Sequence, residues 1–351
     1  MRDRWKLLKY PPEMQRPRVS VLLPVFNAAE YLPVCLKSLE RQTLGDFEVV
    51  AIDDGSTDGS TEILKKWGRA DRRIRVIERS HRGLVPSLND GLGECRGDLV
   101  ARMDADDVAH PRRLQFQAEF LQSRPEVNIV SCLIRHFPAH QVAQGFRLYD
   151  EWLNSLVDHD QMFRERFAES PIAHPSVMFR KKAVDEVGGY RDCGWPEDYD
   201  LWLRLFERGD VFVKVPRLLQ FWRESPDRLS RTDSRYSSDA FLRCKAHFFA
   251  RGPAAEGKTV ILWGAGPNGK RLYRYLGEEG IVVRAIIDID PAKIGRQIRG
   301  TPVVAPETLP DLLDDRTIVV AAVGSRGARQ LIRERLTGFG LREGQDFWCL
   351  L

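Results

Sequence analysis

The sequence contains no C-x-x-C pair. Its six cysteines, Cys35, Cys95, Cys132, Cys193, Cys244 and Cys349, are too scattered to suggest a disulfide framework or a zinc site. They fit a reducing compartment. Histidine is scarce, at seven. His136 and His140 stand at helical spacing, but Pro138 between them argues against a helix there, so neither is read as a ligand. No uninterrupted apolar run approaches the roughly 20 residues of a membrane span. A large charge of one sign is also missing: 54 Lys and Arg against 50 Asp and Glu leave +4, too little for a polyanion binder, so no nucleic-acid partner is expected. The first ten residues, MRDRWKLLKY, lack the apolar core of a secretory signal. Arg2, Arg4, Lys6 and Lys9, with Trp5 and Leu8, would suit a peripheral contact with an anionic membrane; the alternative is a frayed tail. The expected location is cytoplasmic, with any such contact at the inner face of the membrane. Nothing in the sequence specifies an oligomeric state.

What is present is alternation. RVSVLLPV (18–25), FEVVAID (47–53), RIRVIE (73–78) and DLVARM (98–103) read as buried strands. Between them, Leu32, Cys35, Leu36 and Leu39 form one helical face and Leu84, Leu88 and Leu92 another, with Asn27 a candidate N-cap for the first helix. Strands separated by helices predict a mostly parallel sheet flanked by helices, with ligands at the carboxyl ends of the strands. Three polar clusters fall at such ends: PVFN, DDGSTD and DADD. The middle is less regular, but WPEDYDLWLRLFERG reads as a helix ended by Gly209. ARGPAAEGK (250–258) reads as a linker, after which TVILWGAGPNG restarts the strand–turn–helix pattern. The expected division is a tail (1–16), a first α/β domain (17–250) and a small Rossmann-like domain (251–351).

The clusters carry chemistry. In DDGSTD, capping would explain Thr57 or Asp58 but not Asp53 and Asp54 together; a strand-end carboxylate can accept from a base N–H or a ribose hydroxyl. In DADD, Asp104, Asp106 and Asp107 repel one another unless a cation sits among them. A solvated loop is the bland alternative. The sharper reading is Mn²⁺ or Mg²⁺, which takes oxygen ligands and commonly uses only one or two carboxylates, the rest being water and substrate phosphates.

Four ordered stretches, VSVLLPVFNAAEYLPVCLKSLERQTLGDFEVVAIDDGSTDGS, GLVPSLNDGLGECRGDLVARMDADD, HPSVMFRKKAVDEVGGYRD and EDYDLWLRL, resemble the family-2 inverting glycosyltransferases of GT-A fold over roughly residues 17–230. The resemblance implies a nucleotide-diphosphate sugar donor (UDP-sugar being the family's commonest), a divalent metal and transfer of one sugar with inversion. It places Pro24, Phe26 and Asn27 against the nucleoside and Asp53 and Asp54 at the base or ribose. Arg82 becomes a donor contact. Asp104 and Asp106 become the D-x-D pair, Asp106 as direct metal ligand. It makes Asp198 the catalytic base. The physics agrees for Asp198: inversion needs a base beside the incoming hydroxyl, and a helix's first turn favours an ionised carboxylate. Ordinary first-turn acidity is the alternative. The loop after the base departs from the family, reading Phe221-Trp222-Arg223-Glu224 without a following His, so Arg223 or Arg228 is the candidate diphosphate contact. The Q-x-x-R-W pattern of processive members is absent, as are their membrane spans, which implies single transfers rather than polymerisation; the expected acceptor is a glycan or lipid-linked glycan.

GAGPNG, with Gly264, Gly266 and Gly269, and Asp288 at the next strand end form a weak dinucleotide fingerprint and a candidate second nucleotide site. IIDIDPAKIGRQIRGTPVV resembles the small domains that precede some sugar acyltransferases; a structural or docking domain that kept the turn is the alternative. Two other functions compete with sugar transfer. One is sugar-nucleotidyl transfer, whose usual Gly-rich basic loop is missing from PVFNAAEYL. The other is non-catalytic sugar-nucleotide binding.

Overall fold

The computed structural model describes residues 16–226, 228–255, 257–325 and 327–351. The expected N-terminal membrane contact lies outside them. Along the chain come β1 (Val19–Val25), α1 (Leu32–Glu40), β2 (Phe47–Asp53), α2 (Ser60–Ala70), β3 (Ile74–Glu78), α3 (Leu84–Glu94) and β4 (Leu99–Arg102). Then follow β5 (Val108–Ala109), α4 (Arg113–Ser123), β6 (Val127–Phe137), α5 (Gln144–Ser155), α6 (His159–Glu165), β7 (Met178–Arg180), α7 (Lys181–Glu186), α8 (Glu197–Arg208) and β8 (Val211–Arg223). The remainder comprises α9 (Leu229–Thr232), α10 (Ser238–Arg251), β9 (Thr259–Trp263), α11 (Pro267–Glu278), β10 (Val283–Ile287), β11 (Gln297–Ile298) and β12 (Thr301–Val304). It closes with α12 (Leu309–Leu312), β13 (Thr317–Ala321), α13 (Ala328–Gly338) and β14 (Phe347–Cys349).

Two sheets result. The first has the order β3-β2-β1-β4-β7-β6-β8-β5. Its β3, β2, β1 and β4 pair in parallel, while β7 runs antiparallel to β4 and β6, and β5 to β8. The parallel half is the part the alternation anticipated. The antiparallel half corresponds to the stretch with no clear period. β1 and β2 are buried along their whole length, as strands covered on both faces should be. The second sheet, β11-β12-β10-β9-β13-β14, is parallel except for β11.

The chain forms two compact units. The first comprises Met1–Asn154, Ala173–Gly189 and Val213–Arg223; the second, Ser155–Ile172, Tyr190–Phe212 and Glu224–Leu351. These units cross the sequence-derived boundary at 250/251, and the reason is apolar burial. Tyr199 and Leu203 of α8, Leu242, Phe248 and Phe249 of α10, and Phe167 share one core cluster with Val260, Leu262, Leu272, Tyr275 and Trp348 of the second sheet and its helices. Such helical faces must be covered by something, and the periodicity that reveals a face does not name its cover.

One local expectation is corrected. Asn27 does not cap α1, whose N-cap is Tyr31 with a proline in the first turn. Asn27 instead adopts a left-handed conformation at φ 46°, and its side-chain oxygen accepts from the Thr57 amide at 2.9 Å. Asparagine tolerates this region because its side chain can hydrogen-bond locally.

Candidate functional site

In the first unit, the turns after β1 and β2 are laced together. The Asn27 amide donates to Ser56 Oγ at 3.0 Å, Ala28 to Ser60 Oγ at 2.9 Å and Ala29 to Asp58 Oδ2 at 2.8 Å. Gly55 holds the second turn at φ 76°, where a Cβ would stand 2.8 Å from the His81 amide nitrogen. Asp53 accepts from the Ser56 amide at 3.0 Å and from the Thr61 hydroxyl. Asp54 accepts from the amides of Arg82 at 3.0 Å and Gly83 at 2.7 Å and from Arg79 Nε at 2.8 Å. Burial acts to raise the Asp54 pKa, but the Arg82 amide, the Arg79 guanidinium and the Gly83 amide together hold it below the ordinary value. Both buried carboxylates thus shape the loop they were expected to lend to a nucleoside.

Pro24 is buried within β1, in register with Ile52. Phe26 just beyond it is 47% exposed, and its ring stacks on His81 at 4.1 Å. This leaves a flat, half-wet aromatic surface beside Asp54, whose Oδ2 lies 2.9 Å from His81 Nδ1. Arg82 reaches Asp54 through its amide, and its guanidinium pairs with Asp90.

The acidic triplet at the end of β4 divides by exposure. Asp104 and Asp106 are half-buried; Asp107 is fully buried. Asp107 accepts from Gln220 Nε2 at 2.9 Å and from the Arg223 amide at 2.7 Å. Burial, then the charges of Asp106 and Asp104, push its pKa well above the ordinary carboxylate range. Gln220 Oε1 in turn accepts from Arg113 Nη1 at 2.7 Å, and Arg113 Nη2 donates to the Arg102 carbonyl at 2.7 Å. Asp107 is therefore the internal anchor of the loop. Asp104 is ion-paired with Arg102. Arg223 lies between the rings of Tyr31 and Phe137, 4.4 Å from each, and its Nε donates to the Asp106 carbonyl at 2.7 Å. It braces the acidic loop. The Arg113–Gln220 link was not read from the sequence, since a buried arginine leaves no periodic signal.

Among the described residues no cluster of three or more His, Cys, Asp or Glu side chains could hold a metal. A two-carboxylate pair still fits Mn²⁺ or Mg²⁺, whose remaining positions go to water and substrate phosphates. Asp104 and Asp106 are the two half-buried carboxylates of the triplet and would be the residues to hold such an ion.

In the second unit, α8 opens with three acidic residues of unequal character. Glu197 is buried and accepts from the Tyr236 hydroxyl at 2.7 Å. Asp200 is buried and accepts from Trp195 Nε1 at 3.0 Å and Arg204 Nε at 2.7 Å. Asp198 is half-buried, and its Oδ1 accepts from the Tyr199 amide at 2.7 Å. Glu224 is ion-paired with Arg228 and Arg231.

The Gly-rich turn lies at the end of β9. Gly264 sits at φ 127°, and a Cβ on Gly269 would stand 1.9 Å from the Gly264 carbonyl oxygen, whereas one on Gly266 would meet nothing within 4 Å. Gly266 and Asp288 line a cavity of about 800 Å³ together with Ile289, Lys293, Leu331 and Arg335. The Asp288 carboxylate accepts from the Ala265 amide at 2.8 Å, the Asp290 amide at 2.9 Å and Lys293 Nζ at 3.1 Å.

Residues 20–188 match the glycosyl transferase family 2 model, and residues 255–338 match the CoA binding domain model. A putative glycosyltransferase, EpsE of Bacillus subtilis, is 32% identical over 235 residues, covering 64% of this chain and 79% of that protein. The amylovoran biosynthesis glycosyltransferase AmsE of Erwinia amylovora is 31% identical, over 60% of this chain and 78% of its own. The UDP-Gal:alpha-D-GlcNAc-diphosphoundecaprenol beta-1,3-galactosyltransferase of Escherichia coli is 27% identical, over 66% and 84%. A crystal structure of S. aureus TarS 1-349 superposes with a TM-score of 0.54 at 17% identity, over 74% of this chain and 70% of that one. The fold is that of the GT-A glycosyltransferases with a Rossmann-like second domain. The chain belongs to glycosyl transferase family 2. Among the described residues no helix is long and apolar enough to cross a membrane.

Proposed function

We propose that the protein is a metal-dependent, inverting glycosyltransferase that moves one sugar from a UDP-sugar to a hydroxyl of a glycan or lipid-linked glycan. The observation that carries the mechanism is the unequal character of the α8 carboxylates. Glu197 and Asp200 are buried and engaged by side-chain donors, while Asp198 is half-buried at a helix N-terminus, which favours its ionised form. The acceptor hydroxyl oxygen attacks the anomeric carbon, its proton passes to Asp198, and the bond to the diphosphate oxygen breaks with its electron pair leaving on that oxygen. The Phe26–His81 surface stacks the base. Asp104 and Asp106 would hold Mn²⁺ or Mg²⁺, which when bound would offset charge on the leaving diphosphate. The galactosyltransferase relative, by its name, uses UDP-Gal and a diphosphoundecaprenol-linked acceptor, which favours a uridine donor and a lipid-linked glycan here. Such an acceptor suits a cytoplasmic enzyme working at the inner membrane face.

The test is hydrolysis of UDP-GlcNAc, UDP-Gal, UDP-Glc, GDP-Man and dTDP-Glc with Mn²⁺, followed by acceptor screening with the best donor. Excess chelator should abolish turnover. Asp106→Asn should weaken Mn²⁺-dependent UDP binding at least tenfold in calorimetry, with an unchanged melting temperature. Full activity in chelator would remove the metal from the mechanism.

A second reading concerns the Gly-rich turn. The 800 Å³ cavity beside Gly266 is large enough for a nucleotide and favours a second nucleotide site over a purely structural turn.

A further inference from the structure

The helix that carries Asp198 is not built into the sheet that carries the donor residues. Its inner face belongs to the core of the second unit. Tyr199, next to the proposed base, is fully buried, and its hydroxyl donates to the Arg166 carbonyl at 2.5 Å. Arg166 is itself fixed by aromatic rings. Its guanidinium lies 3.5 Å from the Phe163 ring centroid, 4.4 Å from that of Trp348 and 4.5 Å from that of Phe167. The rings also support one another: Trp348 meets Phe163 at 5.8 Å and Phe167 at 5.6 Å, both edge-on, and Phe167 meets Phe249 of α10 at 5.8 Å. Trp348 lies on β14, the edge strand of the second sheet. An unbroken series of contacts therefore runs from that sheet, through Trp348, Arg166 and the Tyr199 hydroxyl, to the residue beside Asp198.

We infer that the Rossmann-like unit is the scaffold of the catalytic base, with Tyr199, Arg166 and Trp348 as positioning residues. The inference rests on the reading of Asp198 as that base. It gives the second sheet a role in catalysis independent of any ligand in its cavity. The cation–π contacts and the buried hydroxyl bond are worth about 1 kcal/mol or more each, enough to select one setting of the first turn of α8. A displaced base costs rate: catalytic groups act within hydrogen-bond reach, and a shift of about 1 Å can cost on the order of 100-fold.

The experiment uses the full chain, with water as the acceptor and UDP-GlcNAc and Mn²⁺ as probe, or whichever UDP-sugar the chain hydrolyses fastest. Four variants are compared: Tyr199→Phe, which removes one hydroxyl and keeps the packing, Trp348→Phe, Trp348→Ala and Asp198→Asn. UDP titration by calorimetry fixes the folded, donor-competent fraction of each. Asp198→Asn should lose 10²–10⁴-fold in hydrolysis with UDP affinity nearly unchanged. Tyr199→Phe and Trp348→Ala should lose about tenfold in kcat at unchanged donor KM, with the rising limb of the pH–rate profile displaced. Trp348→Phe, which keeps an aromatic face for Arg166, should stay within about threefold of wild type. A uniform loss of stability would lower the competent fraction and leave kcat per competent site and the pH limb where they were; that result overturns the inference. Wild-type kcat in Tyr199→Phe and Trp348→Ala, alongside a crippled Asp198→Asn, overturns it and leaves the base reading standing. Near wild-type hydrolysis by Asp198→Asn removes the base reading itself, and with it the inference.

Discussion

Each unit places an aspartate at a strand end beside a glycine turn, and the two sites treat that aspartate alike. Asp54 accepts from two backbone amides and is paired with Arg79; Asp288 accepts from two backbone amides and is paired with Lys293. For both, burial acts to raise the pKa, and the hydrogen bonds and cation outweigh it and lower the pKa. What differs is the surface around them. Beside Asp54 lies the Phe26–His81 stack. Beside Asp288 lies a cavity flanked by Ile289 and Leu331, 71% and 68% exposed. A strand-end acid thus identifies a built loop, and the neighbouring apolar surface identifies what the loop is built for.

The largest expected effect separates two glycines of the second turn. Gly269→Ala would drive a Cβ into the Gly264 carbonyl and should cost about 3 kcal/mol of stability in denaturant titration. Gly266→Ala, whose Cβ enters open space at φ −76°, should stay within about 0.5 kcal/mol. Equal losses would mean that the turn is packed alike at both positions.

The next effect probes the two acids. Asp54→Asn and Asp288→Asn should each cost about 2 kcal/mol at neutral pH, since each weakens hydrogen bonds to a charged acceptor. Because each native pKa is lowered, the stabilisation is complete above the ordinary value of 3.8 and is lost as pH falls below it through the native value. The acid limb of unfolding should therefore flatten in both variants. Only Asp54→Asn should also weaken UDP binding, and equal weakening in the two would erase the distinction drawn here.

The smallest effect concerns the exposed apolar groups. Phe26→Ala and Leu331→Ala should barely alter the melting temperature. Phe26→Ala should weaken UDP binding about three- to tenfold, the scale of one lost stacking contact, while Leu331→Ala should leave it unchanged.

Much of this was legible in the sequence. The four parallel strands, the three polar clusters at their ends and the Gly209 stop of α8 are local patterns, and the structure contains them. Asn27 was legible as a loop residue but not in its role, because a short polar side chain serves a cap or a left-handed turn equally well. The engagement of Asp107 by Gln220 and of Arg166 by Trp348 was not legible at all. Each joins residues more than a hundred positions apart, and a buried arginine looks the same in a sequence as a solvated one. The boundary at 250/251 followed composition, whereas the compact units follow the covering of apolar helix faces.

The shared core of Tyr199 and Trp348 also sets a schedule for assembly. Those residues lie about 150 positions apart, and contacts of such sequence separation form late because a long loop must close first. At about 5–20 residues per second of synthesis, α8 waits on the order of ten seconds for β14 to be made. Through that interval the apolar side of α8 has none of its final cover from the second sheet's edge. The parallel half of the first sheet, whose β1–β4 pairings are all made within the first hundred or so residues, has no such delay.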